Sequence, residues 1–321
     1  MMMRLDALVG AVLLAGAASA AMAQAPQAGQ EVPSSPAIAG DRPTRAPDKP
    51  AAMPFELRDN LVVIGVTING RPQAAVLDSG AGAVVIDQRL TAALGLAADA
   101  PGDEIAGGGA AAQQSRLVDI ATLDIGPLGF AHLPGHSADL AQLSASAGFP
   151  IDLLIGAPAF RHGSVRVDYA QRLVTFGSSG GTCAAPIPFT LVENVPVVEA
   201  ELRPAPGAEP VRLKLVVDLG TRHRAAIIGG PFLRSAAGQA LMAAGAEGKV
   251  AHGVGGTVEG GLARVAELRV GDVRFTGLEV ALTSGAPVFE TGLLDGSLGV
   301  PLWQAGAIVF DYPAGTLCIE R

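Results

Sequence analysis

The chain of 321 residues carries a formal net charge of −8, with 49% hydrophobic residues and only 4% aromatics. An acidic chain without clustered Lys and Arg lacks the face that nucleic-acid phosphates require, so no nucleic-acid partner is expected. The length allows two lobes of ordinary domain size, with alanine, valine and leucine doing most of the packing.

In chain order, Arg4 precedes an apolar stretch, Ala7 to Ala18, and then Ala21-Met22-Ala23 before Gln24. This is the pattern of an export signal over residues 1–23. Its apolar core falls short of the roughly 20 residues a permanent span needs, so no stable membrane span is expected after cleavage. Export places the protein in the periplasm or outside the cell. Residues 24–54 are rich in Pro and Ala without apolar periodicity and read as a disordered tether.

The remainder reads as mostly β, with two homologous β-barrel-like lobes at residues 55–180 and 181–321. Leu61 to Val66 is a predicted strand, Asn69-Gly70 a two-residue hairpin turn, and Gln73 to Leu77 the returning strand. The second lobe repeats this with Val195 to Leu202 and Val211 to Val217. Each returning strand runs into an Asp-x-Gly turn: Asp78-Ser79-Gly80-Ala81, then Asp218-Leu219-Gly220-Thr221. Helices are expected at Asp87 to Leu94 and at Pro231 to Ala244. Glycine-rich loops follow at Gly107 to Gly109 and Gly253 to Gly256. Two strings then recur. Leu-x-(Ile/Val)-Gly-x-(Leu/Val)-x-Phe begins at Leu123 and at Leu268, and Gly-x-Pro-x4-Gly-x4-Asp-Tyr begins at Gly156 and at Gly299. An internal repeat of this length means two similar lobes.

Two lobes that each present one carboxylate suggest a site at their junction. Like charges a few ångströms apart cannot both ionise, so such a pair holds one proton. The ionised member can take a proton from water while the protonated member hydrogen-bonds a carbonyl oxygen. Asp78 and Asp218 are therefore the candidate catalytic pair, with Gly80 and Gly220 allowing the tight turn and close approach. The simpler reading of each aspartate is a turn former that caps its own backbone. For Asp168 and Asp311, between two strands and each followed by Tyr, that simpler reading is adopted.

Val76-Leu77-Asp78-Ser79-Gly80-Ala81 followed by Val85-Ile86 resembles the signature of aspartic peptidases, especially the retropepsin-like bacterial ones. Leu154-Ile155-Gly156 and Ser297-Leu298-Gly299 are similar to the apolar-apolar-Gly triplet that passes behind each aspartate loop in that family. The resemblance implies a pepsin-like two-lobed chain, a monomer, hydrolysing a peptide or unfolded protein held in the cleft. It implies no cofactor, since the nucleophile is water. It also implies a hydroxyl after each aspartate that locks the two loops together. Ser79 supplies one, Leu219 has none, and Thr221 supports the second loop although such a turn directs it elsewhere. A mobile flap is implied too, with Gly108 and Gly255 as candidates.

Leu219 favours a rival, a non-catalytic relative that keeps the fold to bind peptides or a partner protein of the cell envelope. Pro134-Gly135 between His132 and His136 forbids the helix on which their spacing would bind metal, so no metal site is expected. The glycine loops lack a nucleotide-binding pattern. One disulfide is compatible with export, and a Cys183–Cys318 bridge would tie the lobes together.

Overall fold

The computed structural model describes residues 13–14, 42–177 and 183–321. Apart from Leu13–Leu14, the predicted export signal lies outside the described residues, as does the tether up to residue 41. The described chain is mostly β, as expected, with short helices at the sheet margins.

In the first half, Leu61–Ile68 and Arg71–Leu77 form an antiparallel hairpin, pairing Val63 with Val76 and Ile68 with Arg71. The turn works because Asn69 and Gly70 both adopt positive φ, 49° and 74°, matching the twist of the flanking strands. Leu153–Ile155 then lies parallel to Arg71–Leu77 and antiparallel to Val84–Asp87. The second half uses the same wiring. Val195–Arg203 pairs antiparallel with Val211–Val217, and Gly296–Leu298 lies parallel to the latter and antiparallel to Ala226–Ile228. In each half a strand is thus threaded beside the one that ends at the aspartate.

A third sheet joins the halves. Ser164–Asp168 pairs with Ala307–Asp311 at its centre, from Ser164 opposite Asp311 to Asp168 opposite Ala307. Beneath the junction Phe160 stacks on Tyr312, and the Trp303 indole donates to the Tyr169 hydroxyl at 3.4 Å. Asp168 and Asp311 serve their turns: Asp168 accepts from the Gln171 amide and pairs with Arg166, and Asp311 accepts from the Ala314 amide.

Two expectations need correction. The tether does not extend to residue 54, because Ala51–Pro54 is a strand that pairs with Leu173–Phe176 and completes an edge of the third sheet. Edge pairing satisfies backbone groups whatever the side chains, so composition gave no warning of it. The helix expected over Pro231 to Ala244 is two helices, Gly230–Arg234 and Ala236–Ala244. Ser235 breaks it by adopting extended backbone and capping the second helix through the Gly238 amide.

Cys183 and Cys318 are bonded, with Cα atoms 5.9 Å apart and a sequence separation of 135. The bridge anchors the final strand Thr316–Glu320 to the segment that opens the second half. Replacing both cysteines by serine is expected to lower stability by about 2–5 kcal/mol, because so long a loop strongly constrains the unfolded chain. Urea unfolding of the double variant beside the wild type checks this.

Candidate functional site

Each aspartate sits where a strand runs out into a tight turn. The Asp78 amide donates to the Ile155 carbonyl at 2.9 Å and the Asp218 amide to the Leu298 carbonyl at 3.0 Å, so each loop hangs from the strand behind it. Each carboxylate accepts from the glycine two residues on: Gly80 to Asp78 Oδ1 at 2.9 Å, Gly220 to Asp218 Oδ1 at 2.6 Å. Glycine is also needed where the rear strands turn away. A Cβ on Gly156 would collide with the Ala81 carbonyl, and one on Gly299 with the Arg224 carbonyl.

The two carboxyls meet across the junction. A Cβ on Gly80 would lie 2.5 Å from Asp218 Oδ1, and one on Gly220 would lie 2.9 Å from Asp78 Oδ2. Both aspartates are buried, at 2% and 6% exposure. Burial, followed by the neighbouring Asp218 charge, holds Asp78 well above the usual carboxylate range. Burial also pushes Asp218 up, but the Thr221 hydroxyl, Asp78 and the Gly220 amide all oppose the rise. Two such carboxyls cannot both ionise easily, so the pair shares a proton. Gly80→Ala is expected to force the carboxyls apart and cut any dyad-dependent activity about 100-fold with the fold retained. Steady-state rates measured with circular dichroism on the same preparation check this.

Ser79 does more than its neighbours. Its buried hydroxyl donates to the Val217 carbonyl at 2.7 Å and accepts from the Leu219 amide at 3.0 Å. One side chain of the first loop thus grips the backbone of the second on both sides of Asp218. Leu219 cannot return the grip; its side chain is fully buried in the apolar core. Thr221 departs from the expectation that it points elsewhere. The turn folds back on itself, with the Thr221 amide 3.3 Å from the Asp218 carbonyl, and this brings the Thr221 hydroxyl to Asp218 Oδ2 at 2.7 Å.

Sequence reasoning missed two residues here. Ser297 lies 2.9 Å from the Thr221 hydroxyl, and its only signal was a polar residue in an otherwise apolar triplet. Arg222 is buried at the cleft wall, paired with Asp59 at 2.9 Å and donating to the Ser146 hydroxyl at 2.9 Å, so a second-half residue is held by two first-half ones. Burial lowers its pKa. His223 also reaches Asp59, at 2.8 Å, and is half exposed.

The cleft that contains the dyad has apolar walls: Leu61, Val76 and Leu154 on one side, Ile227, Val250 and Phe289 on the other. The two glycine loops meet across it. Ala111 donates to the Gly255 carbonyl at 3.2 Å, and a Cβ on Gly109 or Gly255 would collide with the opposite loop's backbone. Gly108 lines the cleft; Gly255 sits in the loop contact at φ +89°. Val254, at the tip of the second-half loop, is buried against the first half's apolar cluster.

Residues 64–159, which include Asp78, Ser79, Gly80 and the Leu154-Ile155-Gly156 triplet, match the family model described as aspartyl protease. Over that stretch the chain is similar to aspartyl proteases. Solved structures similar to the chain include a retropepsin-like aspartic protease from Rickettsia conorii, at 15% identity over 40% of this chain and 90% of that one, with a TM-score of 0.29. An aspartic proteinase from Irpex lacteus is 13% identical over 84% of this chain and 96% of that one, with a TM-score of 0.48. Basic 7S globulin from soybean is 11% identical over 84% and 94%, with a TM-score of 0.47. No curated protein sequence matches the chain. The matched residues contain the first aspartate loop; the second loop lies beyond them.

Proposed function

We propose that this chain is an exported aspartic endopeptidase that hydrolyses peptide bonds in an extended peptide or unfolded protein. The observation that carries this reading is the buried contact of Asp78 and Asp218 at the wall of an apolar cleft. Ionised Asp218 takes a proton from water as the oxygen bonds to the scissile carbonyl carbon, and Asp78 gives its proton to the carbonyl oxygen. The resulting gem-diol collapses as Asp78 recovers a proton from one hydroxyl and Asp218 passes its own to the amide nitrogen, breaking the C–N bond. Both carboxyls return to their starting states.

Ser79, Gly80, Gly220 and Thr221 hold this geometry, and the tips carrying Gly108 and Gly255 act as the flaps. Both aspartates come from one chain, so a monomer suffices. The Ala21-Met22-Ala23 signal and the Cys183–Cys318 bridge support an oxidising compartment, periplasmic or extracellular.

Leu219 supports a second reading, a non-catalytic relative of the cell envelope that binds peptides or a protein in the same cleft. Cleavage of casein by the chain from Gln24 onward, measured across pH 3–8, separates the two. Activity lost in both Asp78→Asn and Asp218→Asn supports the peptidase. A folded protein that binds peptides and cuts nothing at any pH supports the second reading.

A further inference from the structure

The halves differ in a coordinated way at two positions that touch in the second half. Leu154 pairs with Val76 and Ser297 with Val216, which makes Leu154 and Ser297 counterparts on the rear strands. Ala81 and Thr221 are likewise counterparts, each three residues after its aspartate with its amide on that aspartate's carbonyl, at 3.2 and 3.3 Å. In the first half both positions are apolar; in the second both carry hydroxyls.

The hydroxyls are buried and connected. Thr221 Oγ1 donates to Asp218 Oδ2 at 2.7 Å and lies 2.9 Å from Ser297 Oγ. A threonine hydroxyl has one proton and two lone pairs. With that proton committed to Asp218, the bond to Ser297 forms only if Ser297 donates. The order is therefore Ser297 to Thr221 to the carboxylate, and successive hydrogen bonds of one direction strengthen each other. A donor on a carboxylate favours its charged form. Asp78 has the Gly80 amide but, with Ala81 and Leu154 at the matching places, no such relay.

We propose that Ser297 is a positioning residue which, acting through Thr221, makes the two carboxyls unequal, so that Asp218 carries the charge and Asp78 keeps the proton. The division of roles between base and acid rests on the peptidase reading; the inequality itself does not. Among the other ionisable groups near the pair, Arg222 and His223 face Asp59 and Arg224 faces Glu279 at 3.5 Å. The Tyr169 hydroxyl accepts from Trp303, the Tyr312 hydroxyl is buried without a hydrogen-bond partner among the described residues, and burial pushes both up, so both stay neutral beside the pair. Substituting Ser297 leaves all of these in place.

The test is a carboxyl titration by NMR on the full chain labelled with 13C-aspartate, with the two signals assigned through Asp78→Asn and Asp218→Asn. Asp218 is expected to lose its proton at lower pH than Asp78. Ser297→Ala should raise the lower of the pair's two ionisation midpoints by roughly half a pH unit or more, and Ser297→Thr should restore it. If cleavage is observed, the acid limb of its pH profile should rise by the same amount. Installing the relay in the first half, Ala81→Thr with Leu154→Ser, should lower the upper midpoint. Ser297→Ala removes a single oxygen and decides the matter even if that double variant does not fold. An unmoved midpoint, or Asp78 ionising first, overturns the proposal. The predicted titration in a protein that cleaves nothing would leave the relay standing and sink the peptidase reading alone.

Discussion

Asp78→Asn is expected to lower peptide cleavage by about 10²–10⁴-fold while raising the melting temperature at pH 7. The two effects share a cause. Burial and the adjacent Asp218 raise the pKa of Asp78 in the folded state above its unfolded value near 4. A carboxyl with a raised folded pKa binds more protons folded than unfolded between those two values, so stability falls as pH rises through that window. Each pH unit separating the two values is worth about 1.4 kcal/mol. Asparagine keeps the shape, can accept from the Gly80 amide and can donate to Asp218, and it has no proton to lose. Its advantage over the wild type should be absent below about pH 4, grow as pH rises, and level off above the folded pKa. Melting curves of both proteins from pH 3 to 8 check the trend. Parallel curves would mean that burying this carboxyl carries no cost, and intact cleavage would remove Asp78 from the chemistry.

Ser79→Ala is expected to be the most damaging single-atom deletion at the junction. It strips a partner from the Val217 carbonyl and the Leu219 amide together, both of them flanking Asp218. Two buried backbone groups left unpaired cost about 2–5 kcal/mol in all. The loop holding Asp218 would also lose its tie to the loop holding Asp78, and a shift near 1 Å in a catalytic group can cost about 100-fold in rate. Ser79→Thr keeps the hydroxyl and should recover most of the stability. Chemical unfolding and cleavage rates on both variants check this. A loss in Ser79→Ala below about 0.5 kcal/mol would show that the crossing bonds contribute little.

Much of the site was legible because its parts are local. An apolar strand running into Asp-x-Gly is a pattern of neighbours, and Asn69-Gly70 marks its hairpin through backbone conformations that few other residues adopt. The helix expected at Asp87 to Leu94 is there as Gln88–Leu94, with Asp87 capping it through the Arg89 amide. The Thr221 contact was misjudged because the direction of a side chain leaving a turn depends on how far the turn closes. Ser297 was passed over because a serine in an apolar triplet looks like an imperfection until its partner is known. Arg222 gave no signal at all, since its partners Asp59 and Ser146 lie 163 and 76 residues away in sequence.

By itself, the order of amino acids determined that this chain is mostly β, with two buried strands that each end at an aspartate and each need glycine two residues later. Those features follow from alternation, turn chemistry and steric limits within short windows. Only the tertiary structure decided that the two carboxyls touch, that one serine grips the opposite loop, and that Thr221 and Ser297 serve Asp218 alone. These contacts arise when two sheets dock through a third. A hydrogen bond depends on distances of a few tenths of an ångström and on direction, neither of which the spacing of residues along the chain encodes.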